Sequence, residues 1–314
     1  MSQTPRAADD VLSQVLDSFR LRGSVGAHLA VRAPWGYAIP QSRDVGLLAV
    51  MRGRARFELE APEPEALELA SGDVVALPTG AAFVIRDAPG TPAVPISQTG
   101  ACSGVEIATA EPQTELLLLH CELSGGCENP VRAALPRIIH CPGSDGRAAR
   151  WLEPTVRLLA LETAMPHAGR NTVLNRLAEV TFVELIRAWL DRQPAECGGW
   201  FRAMTDPQLA KALAAFHAEP GHAWTIASLA ARAGMSRSAF AARFKALLGV
   251  TPLDYVTSWR VQQAKALIEA GRTPLKQVVA SLGYVSEAAF RTAFKRRTGK
   301  TPGAYRAAAR HGAA

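Results

Sequence analysis

Lysine is missing from the first two thirds of this 314-residue sequence, because no lysine precedes Lys211. Acidic residues are scarce in the remainder, where positions 207–314 hold 16 Lys and Arg against 4 Asp and Glu, a net charge of +12. Positions 1–206 hold 19 Arg against 24 Asp and Glu, a net charge of −5. This split indicates two domains, and we expect the basic one to bind a polyanion.

Long apolar runs are also missing, so no segment of the sequence is expected to span a bilayer. The opening residues MSQTPRAADDVLSQVL lack the basic and apolar regions of a secretory signal. We therefore expect a cytoplasmic protein with no membrane partner. The chain has five cysteines. In that compartment they are expected to be reduced, unless they bind a metal or sense oxidants.

One stretch of the basic region occurs twice. GMSRSAFAARFKALLGVTP, from Gly234 to Pro252, returns as GYVSEAAFRTAFKRRTGKTP, from Gly283 to Pro302. Matching residues stand 50 positions apart: Phe240, Phe244, Lys245, Gly249, Thr251, Pro252 and Tyr255 recur as Phe290, Phe294, Lys295, Gly299, Thr301, Pro302 and Tyr305. The opening glycines are 49 positions apart, so the second copy has one extra residue in its turn. Such a repeat indicates one duplicated supersecondary unit.

Each copy has the pattern of a helix-turn-helix. In the first, TIASLAARAG predicts a helix that ends at Gly234, where a positive φ costs glycine little, and Ser236 is a good N-cap for the next helix. In the second, Pro274 suits a first helical position, Gly283 makes the turn and Ser286 caps the following helix. Two copies in a strongly basic segment predict a DNA-binding domain. Their phenylalanines are expected to form its core rather than to stack on bases.

Residues 207–310 resemble the DNA-binding domain of the AraC/XylS family of transcription regulators. The resemblance rests on AGMSRSAFAARFKALLGVTPLDYV and LGYVSEAAFRTAFKRRTGKTPGAYR, and it covers about a third of the chain. It implies two helix-turn-helix units joined by a long helix over Pro252–Ala270. It also implies that the second helix of each unit enters successive major grooves on one face of the DNA.

The side chains opposite the buried phenylalanines are predicted to contact bases, since arginine can bind guanine bidentately and glutamate can accept from a cytosine amine. They are Arg237, Ser238, Ala241 and Ala242 in the first copy, and Glu287, Ala288, Arg291 and Thr292 in the second. With two alanines, the first copy is expected to rely on thymine methyl groups or DNA shape. Phosphate contacts, which position without specifying, are predicted for Arg243, Lys245, Lys295, Arg296 and Arg297. The alternative for each basic residue is a solvated surface charge.

The acidic half contains short apolar runs separated by Gly and Pro, which predicts a small β-barrel or sandwich. LRGSVGAHLAVRAPWGYAIP and SGDVVALPTGAAFVI resemble the cupin-type sensor domain at the N-terminus of one AraC subgroup. Metal-binding cupins carry glycine, five residues, Pro-x-Gly, two residues and histidine. Gly72, Pro78 and Gly80 fit this motif, but Phe83 takes the place of the histidine, and Gly46–Gly53 contains no histidine either.

We therefore expect neither the usual cupin metal site nor cupin enzyme chemistry, and no cofactor. His28 remains as an isolated histidine on a predicted strand. We expect it to be a satisfied core or surface residue rather than a ligand.

A second group of candidate functional residues combines cysteine and histidine. Its members are Cys102, Cys121, Cys127, Cys141, His120 and His140. Their spacing matches no zinc-finger pattern. Three interpretations stay open: buried inert thiols; a reversible disulfide sensor in which neighbouring imidazoles lower a thiol pKa; and a Cys/His metal site, with zinc as the metal. Some members of the resembled subgroup respond to reactive oxidants through cysteine, which favours the second. Cys197 is expected to be incidental.

The sequence WLEPTVRLLALE and the later NTVLNRLAEVTFVELIRAWL predict two helices. The second is apolar on more than one face, which favours either a homodimer or an intramolecular helical hairpin. The sequence thus predicts an α+β fold with two domains. Its parts are a cupin-like barrel over 1–149, a helical hairpin over 150–191, a linker over 192–206 and an all-α domain with two helix-turn-helix motifs over 207–310.

This organisation predicts a transcription regulator, not an enzyme. The N-terminal domain would sense a signal, and the C-terminal domain would bind double-stranded promoter DNA. RNA polymerase would be a partner if the protein activates transcription. Three alternatives remain: a cupin metalloenzyme carrying a DNA-binding module, a cysteine-based DNA-repair methyl acceptor, and an architectural DNA binder. The sequence leaves the signal, the operator and the direction of regulation open.

Overall fold

A computed structural model describes residues 13, 21–59, 64–99, 105–123, 132, 134–144, 146, 149–164, 167–192, 199–269, 271 and 273–311. The strands are β1 (Arg22–Val31), β2 (Gly36–Ile39), β3 (Val45–Arg52), β4 (Arg54–Leu59), β5 (Glu65–Ala70), β6 (Val74–Leu77), β7 (Phe83–Arg86), β8 (Val94–Pro95), β9 (Val105–Ala108), β10 (Thr114–Glu122) and β11 (Ile139–Cys141).

The helices are α1 (Ala149–Ala164), α2 (Arg170–Arg192), α3 (Trp200–Thr205), α4 (Leu209–Ala218), α5 (Ile226–Ala233), α6 (Arg237–Leu248), α7 (Pro252–Glu269), α8 (Leu275–Ser281), α9 (Glu287–Thr298) and α10 (Pro302–His311). All the strands, with α1 and α2, belong to one compact unit, and α3 to α10 belong to another. Across the residues that the model describes, no helix is both long enough and apolar enough to cross a membrane. The two-domain α+β fold that the sequence predicts is confirmed.

The N-terminal unit consists of two sheets that enclose one core. The six-stranded sheet has the order β11-β6-β3-β10-β1-β9, and the five-stranded sheet has the order β5-β4-β7-β2-β8. Residues alternate between the two faces of a strand, so every second side chain points inward. The inward set forms a single apolar cluster that includes Leu29, Leu48, Phe57, Val75 and Leu118. Burying each such side chain contributes about 1.5–3 kcal/mol.

The opposite face of the six-stranded sheet lies under the helical hairpin. Helix α2 packs against β1, β10 and β11, and α1 packs against α2 and β3. The apolar stripe of α2 supplies Phe182, Leu185 and Ile186, which are fully buried. The hairpin is therefore part of the N-terminal unit, and most of the apolar surface of α2 is covered within its own chain.

The C-terminal unit contains the predicted helix-turn-helix pair. Helix α7 connects the two copies and ends at Glu269, while Ala270 lies outside the described residues. Two boundaries differ from expectation. Part of the range predicted as a linker, 192–206, is helical, because α3 is a helix of this unit whose Trp200 is buried and donates to the Tyr255 hydroxyl over 2.8 Å. Pro274 is the N-cap of α8 instead of its first helical residue.

Candidate functional site

The first helix-turn-helix consists of α5, a glycine turn and α6. Thr225 and Ser228 form a reciprocal capping box at the start of α5. Gly234 ends the helix with φ 65°, in the left-handed region that favours glycine. The hydroxyl of Ser236 then accepts from the Ala239 amide over 3.3 Å and begins α6. The local signals read from the sequence thus place this turn.

The second helix-turn-helix consists of α8, a longer turn and α9. Gly283 has φ 68°, and the Ser286 hydroxyl accepts from the Ala289 amide over 3.1 Å. Tyr284 occupies the place of Met235, because each donates its amide to the fifth residue before it, Val279 and Ala230 respectively. The extra residue of the second copy is therefore Val285, whose side chain is fully exposed at 101%.

Both copies bury their phenylalanines, as predicted. Phe240, Phe244, Phe290 and Phe294 are exposed by no more than 2%. Within each pair the ring centroids are 5.5 Å apart with an interplanar angle of 49°. These residues anchor α6 and α9 through their buried faces and cannot stack on bases.

Six of the eight predicted base contacts lie exposed on the outer faces of α6 and α9: Arg237, Ser238, Ala242, Ala288, Arg291 and Thr292. Ala241 and Glu287 are half-buried. The Arg291 guanidinium donates to the Glu287 carboxylate over 3.2 Å, one helical turn away. An exposed pair of this kind contributes only about 0.2–0.5 kcal/mol. Arg291 is therefore free to exchange this contact for a base edge.

The five residues predicted to contact phosphate differ in their surroundings. Lys245, Lys295 and Arg296 are exposed, and Arg297 donates to the Asp254 carboxylate of α7 over 2.9 Å. Arg243 is different. Its guanidinium donates to the Asp206 carboxylate over 2.9 and 2.5 Å, and it also contacts Gln208. Both nitrogens donate to the same oxygen, Oδ2, and the pair joins α6 to the segment before α4, so the predicted phosphate contact of Arg243 would compete with this pair.

Asp206 is the centre of that contact and was missed by the sequence analysis. Its carboxylate also accepts the backbone amides of Leu209 and Gln208 over 2.9 and 3.0 Å. Burial alone would raise the pKa of Asp206. The hydrogen bonds from Leu209, Arg243 and Gln208 outweigh burial and hold that pKa below its usual value. A sequence signal existed, since an aspartate at an N-cap commonly accepts the backbone amides two and three residues ahead.

A second contact missed from the sequence links the two copies. Arg260 of α7 donates to the Pro220 and His222 carbonyls over 2.8 and 2.6 Å, and its guanidinium lies 5.7 Å from the centre of the Tyr284 ring. Gly221 lies between Pro220 and His222 in the chain. Its backbone is so close to Gly283 that a Cβ on Gly283 would overlap it. The loop after α4 is thus clamped against the turn of the second copy.

In the barrel, the position of the cupin metal ligand is filled by an apolar ring. Phe83 is buried in the core, with its centroid 5.1 Å from that of Phe57. Over the part of the chain that the structure describes, no group of three His, Cys, Asp or Glu residues could hold a metal ion. His28 is buried and bonds the Glu115 carboxylate over 2.9 Å, as expected of a satisfied residue.

The predicted pairing of a thiol with a neighbouring imidazole does not occur at Cys121. Residues adjacent in a strand point to opposite faces, so His120 points inward while Cys121 points toward α2. The Cys121 thiol is fully buried and donates to the Ala178 carbonyl over 3.5 Å. Burial raises the pKa of Cys121, the opposite of what a reactive thiol requires. His140 likewise bonds Asp73 over 3.3 Å.

The strand register also keeps Cys121 and Cys141 apart. Cys141 pairs with Val74, which pairs with Ala49, which pairs with Leu117. Cys121 therefore lies about 14 Å across the sheet from Cys141 and about 13 Å further along it. Disulfide Cα atoms are at most about 7 Å apart, so these two cannot pair. Cys102, Cys127 and Cys197 lie outside the described residues.

Two helix-turn-helix units with exposed, basic outer faces define the class of the protein: it is a DNA-binding transcription regulator. Residues 10–191 match the family model described as a cupin, and residues 229–308 match the one described as a helix-turn-helix domain. A putative AraC-like transcription regulator of Streptomyces lividans is 33% identical over 307 residues, covering 95% of this chain and 98% of that protein.

Two further relatives are also regulators. The transcriptional regulator AlkR of Acinetobacter baylyi is 28% identical, covering 95% of this chain and 99% of that protein. The RCS-specific transcriptional activator RclR of Escherichia coli is 27% identical, covering 95% of this chain and 97% of that protein. The chain belongs to the AraC family of transcription regulators, with an N-terminal cupin domain as the sensor and a C-terminal helix-turn-helix domain. These relatives are regulators and not enzymes.

Proposed function

We propose that the protein is a cytoplasmic homodimer that binds promoter DNA through α6 and α9 and changes this binding when its barrel detects a signal. The observation that carries the proposal is the duplicated helix-turn-helix, in which both second helices keep an exposed face. Successive major grooves on one face of B-DNA are about 34 Å apart, a distance that two helices on a connector such as α7 can serve.

In this proposal the exposed side chains have separate roles. Arg291 reads a base, because it lies exposed on the outer face of α9, opposite the buried phenylalanines. Lys295 lies one turn further along the helix and is also exposed, so it binds phosphate without reading sequence. The remaining base contacts are those predicted above, and the phosphate contacts are Lys245, Lys295, Arg296 and Arg297.

The test begins with selection of preferred sites from a random DNA library by the full-length protein. Arg291→Ala should cost about 1–3 kcal/mol on the selected site and relax its preference at one base pair. Lys295→Ala should weaken binding about equally on all sequences and lower the salt slope by about one. A uniform loss in both variants would contradict these roles. Equal affinity for every duplex at matched salt would instead indicate an architectural binder.

The homodimer is proposed to form through the outer side of the helical hairpin. Trp151, Leu158 and Leu161 of α1 are 67%, 51% and 61% exposed, and Val180 of α2 is 46% exposed. Water-exposed apolar side chains on neighbouring helices fit a second copy of the same face. Leu161→Glu should shift the sedimentation coefficient to that of a monomer, while Val94→Glu, on an exposed strand of the same unit, should not. A monomeric parent protein would contradict the proposal.

Oxidant sensing is proposed only through Cys102 and Cys127, because the described thiols are buried. A brief pulse of hypochlorite should remove two hydrogens from the intact mass and join peptides that contain Cys102 and Cys127. Cys102→Ser should abolish this change, whereas Cys121→Ser should leave it intact. A zinc adduct on the reduced protein would indicate a metal site instead. A mass that stays constant through the pulse would contradict oxidant sensing by a disulfide. In vitro transcription with RNA polymerase would then give the direction of regulation.

A further inference from the structure

A cleft of about 400 Å³ opens at one end of the barrel. Small-molecule sites typically occupy about 300–1,000 Å³ and combine apolar walls with a few polar groups. Here Ala27, Ile39, Ile96 and Leu118 form the apolar wall. Ala27, Ile39 and Leu118 belong to the barrel core, and Ile96 packs against it, so the cleft reaches into the inward face of the sheets.

His120 forms one polar part of the cleft, and the fold makes room for it. It continues the inward face of β10 after Leu116 and Leu118. The opposite strand β1 has a register shift between Val25 and Ala27, which leaves Gly26 out of the ladder. A Cβ on Gly26 would overlap the imidazole. Bulge and glycine together hold the ring at the mouth of the barrel.

Asp44 forms the second polar part, on a segment that is also fixed. Ser42 donates its amide to the Gly80 carbonyl over 2.8 Å, and the Asp44 amide donates to the Ser42 hydroxyl over 3.0 Å. No cationic side chain among the residues that the structure describes forms an ion pair with the Asp44 carboxylate. The segment thus presents an unpaired carboxylate at the cleft, where polar side chains of Ser24 and Ser42 also line the wall.

The charge of the cleft is therefore that of Asp44. Burial lowers the pKa of His120, and the nearby Asp44 opposes this only in part, so burial favours the neutral imidazole. The Nδ1 atom of His120 is buried and has no hydrogen-bond partner among the described residues. Arg137 lines a neighbouring cleft and is not part of the lining of this one. A neutral ligand would leave the carboxylate unpaired in a partly apolar site, whereas a cation would pair with it.

We propose that this cleft binds a small organic cation with an apolar body, whose ammonium group contacts Asp44. The apolar body lies against Ala27, Ile39 and Leu118, and His120 offers a further polar contact. This assigns a chemical class to the signal of the sensor domain, and in that respect it rests on the function proposed above.

Three probes with one body and different head groups test the assignment: 4-phenylbutylamine, 4-phenyl-1-butanol and 4-phenylbutyrate. Isothermal titration calorimetry on the full-length protein should show the amine binding at least about 10-fold more tightly than the alcohol, since only the amine can form a charge-assisted hydrogen bond with Asp44. Binding of the carboxylate should be weakest. Asp44→Asn should remove the preference for the amine and leave binding of the alcohol unchanged.

Glu65→Gln is the matched control, because Glu65 is exposed on β5 of the same unit and does not line the cleft. It should keep the preference. Gly26→Ala should displace the imidazole and weaken all three probes. Equal binding of the three probes, a preference that survives in Asp44→Asn, or no saturable binding by any probe would overturn the assignment.

Fluorescence anisotropy on a selected DNA site separates this inference from the function on which it rests. A change in DNA affinity on adding the amine, lost in Asp44→Asn, supports both. Amine binding that leaves DNA affinity unchanged supports the cleft and contradicts its use as the sensor. Sequence-specific DNA binding without amine binding contradicts the cleft and leaves the regulator function standing.

Discussion

The two helix-turn-helix copies have the same internal frame but different surroundings. Besides the equal phenylalanine pairs, each places its second phenylalanine against a tyrosine, with centroids 5.6 Å apart for Phe244 and Tyr255 and 5.5 Å apart for Phe294 and Tyr305. The repeated residues are those that position a recognition helix. The residues that differ decide how firmly each helix is held and what it presents to DNA.

The tyrosine hydroxyls show the first difference. In copy 1, the Tyr255 hydroxyl contacts Trp200 over 2.8 Å and His217 over 3.0 Å, all buried. In copy 2, the Tyr305 hydroxyl donates to the Glu269 carboxylate over 2.5 Å near the surface. Copy 1 is therefore built around a larger buried aromatic cluster, which includes Trp200 of α3, a helix within the range of the predicted linker.

The turn glycines show the second difference. Both have a positive φ, but a Cβ on Gly234 would meet nothing within 4 Å, whereas a Cβ on Gly283 would overlap Gly221. The first turn needs glycine only for its backbone conformation. The second needs it also because another loop, held by Arg260, lies against it. The second copy thus depends on the first for its position.

The largest effect should come from substituting that second glycine. Gly283→Ala should cost about 3 kcal/mol or more, since it adds backbone overlap to the left-handed strain, while Gly234→Ala should cost only about 1–2 kcal/mol. Native-state hydrogen exchange of the full chain measures both, through the amides of α8 and α9 for Gly283→Ala and those of α5 and α6 for Gly234→Ala. Equal losses at the two glycines would mean that the loop at Gly221 can move away, and that the copies are held independently.

Asp206→Ala should have the next largest effect, and only copy 1 should show it. Copy 2 has Ala293 at the position of Arg243 and therefore lacks this contact. Losing a buried carboxylate that accepts from Arg243 and two amides should cost about 2–3 kcal/mol in α4 and α6. Asp254→Ala is the control, since its pair with Arg297 is exposed and worth at most about 1 kcal/mol. Equal protection of the α6 amides against exchange in both variants would show that Asp206 does not hold α6 in place.

Acid should destabilise copy 1 more than copy 2 through His217. Burial lowers the pKa of His217 to about 3. In the unfolded chain the pKa of this histidine is about 6.5. Below that pH the unfolded state binds a proton that the folded state does not, so the free energy of unfolding falls from about pH 6.5 downward. The loss should reach about 2 kcal/mol at pH 5. His217→Gln should remove this slope in α4 and α7, whereas His222→Gln, at an exposed position, should retain it.

The sequence predicts a contact well when its two partners lie close together along the chain, and poorly when they lie far apart. Ser236 and Ser286 bond amides three residues ahead, and local patterns therefore identify them. Arg243 lies 37 residues from Asp206, and as a basic residue on an outer face it looks like a phosphate contact until the fold brings the carboxylate to it. The same limit applies to Trp200, which is buried and donates to the hydroxyl of Tyr255, 55 residues away.

The cysteines show a related limit. HCEL and IIHC place imidazole and thiol side by side in the sequence, and in a helix or loop they could interact. Both pairs fall in strands, where neighbours diverge to opposite faces, and only the register of β11, β6, β3 and β10 reveals the separation of Cys121 from Cys141. The cleft formed by Asp44, His120 and Gly26 was likewise hidden, because a β-bulge leaves no distinct pattern in the sequence.

The smallest effect should come from the extra residue of the second turn, and it tests what that residue adds to DNA recognition. Val285 is fully exposed immediately before the Ser286 cap of α9, so its methyl groups gain nothing in the free protein. We expect them to contact a thymine methyl or a sugar when α9 enters the groove.

Val285→Thr keeps the shape and replaces one methyl group by a hydroxyl. It should leave the free energy of unfolding unchanged and weaken binding to the selected site by about 0.5–1 kcal/mol, roughly the value of one buried methyl group. Val250→Thr is the control, since Val250 is 42% exposed in the loop after α6. If both variants bind DNA like the parent protein, the extra residue only lengthens the turn, and the two copies differ in how they are held rather than in what they read at this position.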